Sequence, residues 1–71
     1  MDAQHWTKGF AGEIGLEAPD QAKINDILKL AAVAAHASER ISAPIACYLA
    51  GVSGRPLDEL IGVAEALEAS Q

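Results

Sequence analysis

The chain has 71 residues and a net charge of −5, from ten acidic and five basic side chains. A chain of this length forms one domain and buries only about 60% of its unfolded surface, so a partner or a second copy would stabilise it. Hydrophobic residues make up 51% and charged residues 21%, which excludes an intrinsically disordered chain. The negative charge disfavours nucleic acid and anionic membranes as partners, because both would repel the protein.

Cellular location is indicated by what the sequence lacks. Cys47 is the single cysteine, which excludes an internal disulfide framework and is typical of a reducing compartment. The N-terminal residues include several charged ones and lack the apolar region of a signal peptide. The longest charge-free stretch, residues 41–54, is too short to span a bilayer. We therefore expect a soluble cytoplasmic protein that does not enter the membrane.

Two helices are predicted in the first half of the chain. Trp6, Phe10 and Ile14 recur every four residues and predict a helix over about 2–14 that ends at Gly15. Trp6 is expected in the core, with an interface anchor as the alternative. Pro19 predicts the first turn of a second helix, over about 19–40. Its apolar arc consists of Ile24, Ile27, Leu28, Ala31, Ala34 and Ala35, with Leu30 and Ala37 at the edge.

The third predicted helix, over about 43–53, is apolar all round. Ser42 is a good N-cap for it, and Pro44 lies in its first turn. Its larger side chains, Ile45, Tyr48, Leu49 and Val52, share one side, and its small ones, Ala46, Cys47, Ala50 and Gly51, share the other. A helix without a polar face is buried on both sides, so we expect it to lead the core. A larger residue at position 51 should then overpack the small side.

A fourth helix is predicted over about 56–69, because Gly54 can end the third helix and Pro56 can begin the next. Its apolar stripe consists of Leu57, Leu60, Ile61, Ala64 and Leu67, and the charged residues beside the stripe are all acidic. The sequence therefore predicts an all-α fold, a compact orthogonal or bundle-like array of four short helices in a single domain over 1–71.

The candidate site lies at the end of the second predicted helix. At 100° per residue, Lys29, His36 and Arg40 form a positive stripe on an acidic protein, with Glu39 beside it. One reading is structural: the helix dipole stabilises the cations, and Glu39 accepts from the free N–H groups of the third helix. The other reading is a site for an anionic group or an acidic partner surface.

Other chemistry finds little support in the sequence. His36 and Glu39 could supply two metal ligands, whereas a structural zinc site needs four. Cys47 lies in an apolar helix, where a small buried hydrophobe is expected rather than a nucleophile. We therefore predict no catalytic residues, no cofactor and no metal site.

Residues 47–61, CYLAGVSGRPLDELI, resemble a bacterial helix-turn-helix segment and give the alternative function, DNA binding. The presumed recognition helix is acidic, with only Arg55 to meet phosphate, which disfavours this alternative.

A broader likeness covers about residues 6–67. It is carried by Trp6, GEIGL at 12–16, AAHASER at 34–40 and APIACYLAG at 43–51. In these features the chain resembles a short actinobacterial domain of unknown function, found alone or attached to the guanylyltransferase of molybdenum-cofactor synthesis. In place of that family's usual residues, this chain has Ile41 for a proline and Ala46 and Cys47 for two threonines.

The resemblance implies a small helical module with no established catalytic residues. It also implies a link to molybdopterin-guanine dinucleotide biosynthesis. We therefore expect a non-enzymatic accessory or interaction module that self-associates or binds a protein partner, with a molybdenum-cofactor guanylyltransferase as the candidate partner.

Overall fold

The computed structural model describes all of residues 1–71 and contains four α-helices and no strand. The helices are α1 (Ala3–Glu13), α2 (Gln21–Ala37), α3 (Ser42–Ser53) and α4 (Leu57–Ala69). The prediction of an all-α fold with four helices is confirmed. None of the four helices is long and apolar enough to cross a membrane.

Both ends of α1 are fixed by local hydrogen bonds. The backbone N–H of His5 donates to the Asp2 carboxylate at 2.8 Å, which makes Asp2 the N-cap. At the other end, Gly15 adopts a positive φ of 76°, which costs glycine no steric strain. The N–H of Leu16 then reaches the carbonyl of Ala11 at 2.8 Å, which closes a Schellman motif.

α2 is shorter at both ends than the sequence predicted. Asp20 is its N-cap and accepts from the N–H of Lys23 at 2.9 Å, so Pro19 precedes the helix instead of opening it. At the other end, Ser38 leaves the helical conformation with φ −137° and ψ −102°, and α2 ends at Ala37. The prediction that this helix continues to Arg40 is therefore wrong, and Arg40 lies in the connection to α3.

The start of α3 also differs from the prediction, because no side chain caps it. Ile41 occupies the N-cap position, and Ser42 is the first helical residue. The Ser42 hydroxyl donates to the Ser38 hydroxyl at 3.2 Å, while the Ser42 N–H donates to the Glu39 backbone carbonyl at 2.9 Å. Gly54 ends α3 in the left-handed region, with φ 69°, as its position predicts.

The core is small and is organised around α2, against which both α3 and α4 pack. Leu30 of α2, Ala50 of α3 and Ile61 of α4 meet as one buried cluster, and Leu57, Leu60 and Ala64 pack around it. The expectation that the third helix leads the core is therefore wrong. α2 has this role because it is long enough to contact two helices at once.

α3 turns its large residues outward and most of its small residues inward, whereas Gly51, which the sequence placed on the small side, is exposed. Ala50 is buried, and Ala43, Ala46 and Cys47 on the same side are half-buried. The opposite side is exposed, so the prediction that α3 is buried on both sides is wrong within a single chain. The overpacking prediction is wrong as well, because a Cβ at Gly51 would meet no atom within 4 Å.

α1 stands apart from the other helices and makes no packing comparable to that of α3 and α4 on α2. The molecule accordingly measures 39 × 24 × 18 Å, with a radius of gyration of 13.0 Å. A compact domain of this length has a radius of gyration of about 11 Å. Ala11 is the only buried residue of α1.

Candidate interaction surface

The first exposed apolar surface lies on α1 and consists of Trp6, Phe10 and Ile14; we call it the α1 ridge. The Trp6 and Phe10 rings stack with centroids 5.1 Å apart and an interplanar angle of 10°. All three side chains expose more than half of their surface. Their spacing of four residues places them in one row along the helix, as the sequence indicates.

The second exposed apolar surface lies on the outer side of α3. It is formed by large side chains that are 57–70% exposed and that we call the α3 face: Ile41, Ile45, Tyr48, Leu49 and Val52. No charged residue occurs anywhere in α3, so no charge separates this face from the inner side of the helix. A contiguous apolar surface of this kind marks a site of interaction.

The total exposed surface shows how much of the molecule is left uncovered. The accessible surface is 5415 Å², and four of the 71 residues are buried. A folded monomer of 7.4 kDa exposes about 4,200 Å² on the usual scaling with mass. The excess of about 1,200 Å² is larger than the ~800 Å² that one partner contributes to a standard protein interface.

A groove of about 630 Å³ separates α1 from the start of α2. Thr7 and Lys8 line it on the α1 side, and Ile24, Ile27 and Leu28 line it on the α2 side. The groove exists because α1 does not pack closely on α2. It contains no cluster of titratable groups.

The residues predicted as an anion or partner site are all exposed, but they do not form one helical stripe. Lys29 and His36 lie on the same side of α2, and His36 occupies its last turn. Glu39 and Arg40 lie beyond the end of the helix, in the connection. None of these four side chains forms a hydrogen bond or an ion pair within the chain. The predicted contact of the Glu39 carboxylate with α3 is absent, and backbone carbonyls have that role instead.

Cys47 is half-buried between α3 and α2, as its position on the small side of α3 predicts. Its Sγ lies 3.8 Å from the Ile27 carbonyl oxygen, to which the thiol donates. Burial raises the pKa of this thiol, which lowers its thiolate fraction and its reactivity. No group of three or more His, Cys, Asp or Glu residues is arranged to hold a metal ion.

The helix-turn-helix look-alike falls on the end of α3, the turn at 54–56 and the first part of α4. Its single basic residue, Arg55, forms an ion pair with Glu59, through both Nε at 3.2 Å and the terminal nitrogen. Asp58 and Glu59 occupy the first turn of α4. This geometry adds no support for DNA binding.

Fold and surface together define a small all-helical domain with a minimal core and two exposed apolar surfaces. The chain belongs to the DUF6457 family, a domain of unknown function, whose family model matches residues 1–71. No curated protein and no solved structure matches the chain significantly.

The exposed surfaces are what sequence reasoning missed, since it assigned Trp6 and the large residues of α3 to the core. One signal could have revealed the α3 face. A 12-residue helix without a polar side needs cover on both sides, and a four-helix chain of 71 residues has few helices to provide it.

Proposed function

We propose that this protein is a non-enzymatic accessory module that acts by binding protein chains. The observation that carries the proposal is that exposed large hydrophobic side chains outnumber buried residues. Four residues are buried, whereas thirteen large hydrophobic side chains are exposed. Exposure of so much hydrophobic surface to water is unfavourable, and covering it with another protein chain is favourable.

We further propose that the module serves molybdopterin-guanine dinucleotide biosynthesis in the cytoplasm, with a molybdenum-cofactor guanylyltransferase as partner. This step is supported by the resemblance carried by residues 34–40 and 43–51. The unpaired and exposed side chains of Lys29, His36 and Arg40 are candidates for contact with an acidic surface or an anionic group of that partner. Glu39, next to Arg40 in the chain, is a further exposed and unpaired candidate of opposite charge.

Native affinity capture with the tagged chain tests this proposal. We expect a molybdenum-cofactor guanylyltransferase to be recovered, and we expect the paired change His36→Ala and Arg40→Ala to reduce its recovery. The melting temperature should stay unchanged, because neither side chain has a partner within the chain.

Lys23→Ala is the matched control, since Lys23 is an exposed cation at the other end of α2. Recovery of unrelated proteins alone would refute the molybdenum link. Equal losses for the control and for the paired variant would refute the assignment of the site.

A further inference from the structure

We propose that the partner covering the two apolar surfaces is a second copy of this chain, with the α1 ridge of each copy packed on the α3 face of the other. This inference rests on the proposed function, because it names the protein chain that the interaction module binds through these two surfaces.

The exposed area fits a dimer of this kind. Each chain exposes about 1,200 Å² more than a folded monomer of its mass should, out of a total of 5415 Å². Two chains that cover this excess would bury about 2,400 Å², which lies in the range of obligate homodimers, about 2,000–5,000 Å². A single contact between two α3 faces would leave both α1 ridges in water. Reciprocal pairing covers both surfaces of each chain within one closed dimer.

The two surfaces also match in shape. α1 has 11 residues and α3 has 12 residues, so their lengths are about 16 and 18 Å at 1.5 Å per residue. The α1 ridge is a row spaced by four, and the α3 face contains such a row in Ile41, Ile45 and Leu49. Rows spaced by four on two helices interdigitate at a crossing angle of about −50°, the commonest packing class.

Charge and connectivity favour the same arrangement. α3 carries no charged side chain, so the contact contains no like charges although each copy has a net charge of −5. α1 is little engaged with its own core, so little packing has to be broken for it to reach a second copy. Reciprocal pairing of two different surfaces generates a closed two-fold dimer, the commonest form of homo-oligomer. In that dimer α3 is covered on both sides, as a helix without a polar face requires.

Sedimentation equilibrium over a range of concentrations tests the proposal. We expect the wild-type chain to sediment with twice the mass of 7.4 kDa. Phe10→Lys alters the α1 ridge and Leu49→Glu alters the α3 face. Each variant disturbs both seams of the dimer and should raise its Kd by more than about 100-fold. Circular dichroism should show that each remains helical, because both side chains are exposed in the single chain.

Leu67→Glu is the matched control. Leu67 of α4 is 62% exposed, close to the 59% of Leu49, and lies outside both surfaces, so this variant should remain a dimer. Mixing the two monomeric variants in equal amounts provides the sharpest test. Their heterodimer has one native seam and one seam in which the introduced lysine meets the introduced glutamate, so the mixture should dimerise where neither variant does alone.

Three results would overturn the proposal: a wild-type chain that is monomeric at every concentration, a dimer that Leu49→Glu leaves intact, or a mixture that stays monomeric. A monomeric wild type that still captures the guanylyltransferase would refute the second copy and leave the proposed function standing. A dimer that captures no guanylyltransferase would uphold the second copy and refute the molybdenum link.

Discussion

Leu30 and Leu28 lie two residues apart on α2, and the structure gives them opposite environments. Leu30 is 4% exposed and belongs to the shared core cluster, whereas Leu28 is 61% exposed at the edge of the groove beside α1. Replacing each with alanine therefore gives a matched pair with the same residue type, the same helix and the same chemical change. We expect Leu30→Ala to destabilise the protein strongly and Leu28→Ala to have little effect.

The expected size of the difference follows from burial. Truncating a fully buried leucine costs the transfer free energy of the side chain plus a cavity term, together about 2–5 kcal/mol. Leu28 keeps 61% of its surface in water, so its truncation forfeits only a fraction of the ~1.5–3 kcal/mol of full burial and leaves no closed cavity. Its cost should be about 1 kcal/mol or less. A domain of this length has a total free energy of unfolding of about 4–10 kcal/mol, so the loss at Leu30 removes a large part of it.

Urea denaturation followed by circular dichroism measures the difference. With a slope of about 1 kcal/mol per molar urea for a small domain, the two midpoints should differ by about 1 M or more. Neither leucine belongs to the α1 ridge or the α3 face, so both variants are compared with wild type at one protein concentration. Equal midpoints, or a lower midpoint for Leu28→Ala, would refute the assignment of Leu30 to the core.

Three further predictions concern caps and titratable groups. Asp20→Ala removes the N-cap of α2 and should lower the free energy of unfolding by about 1 kcal/mol. Glu39→Ala should change it by less than about 0.5 kcal/mol, because that carboxylate has no partner. Equal losses of the two variants in urea denaturation would show that the Glu39 side chain does support α3. The backbone N–H of His5 and then its ring lower the pKa of the Asp2 carboxyl, so the stability that this cap supplies is present above the ordinary pKa and is lost as the pH falls through the lowered value. Acid titration followed by circular dichroism should therefore show a loss of helicity that is smaller in Asp2→Ala, and an unchanged titration in that variant would contradict this. Burial raises the pKa of the Cys47 thiol, so a thiol reagent at neutral pH should label the native protein more slowly than the urea-unfolded protein. For the same reason, ionisation of this thiol should lower the stability of the fold only as the pH rises above the ordinary pKa. Equal labelling rates would show that Cys47 is not shielded.

Much of the local structure follows from the sequence alone. The number of helices and the stop signals at Gly15 and Gly54 were predictable, because helix period and left-handed glycine positions are properties of neighbouring residues. Acidic residues in the first turn of α4 were predictable for the same reason. Two of the capping residues were not, since Asp20 and Pro19, or Ser42 and Ile41, compete for adjacent positions that differ little in free energy.

Only the tertiary structure decided which side of each apolar helix faces the core. Periodicity placed Leu28 within the apolar arc of α2 and Leu30 at its edge, and the packing of α3 and α4 reversed this order. α3 is apolar all round, so its sequence provides no contrast between a buried and an exposed side. The inner side is fixed by the packing of Ala50 and Cys47 on α2. The separation of α1 from the core is likewise a long-range property, because the exposure of the α1 ridge depends on how α1 packs against residues that are distant in the sequence.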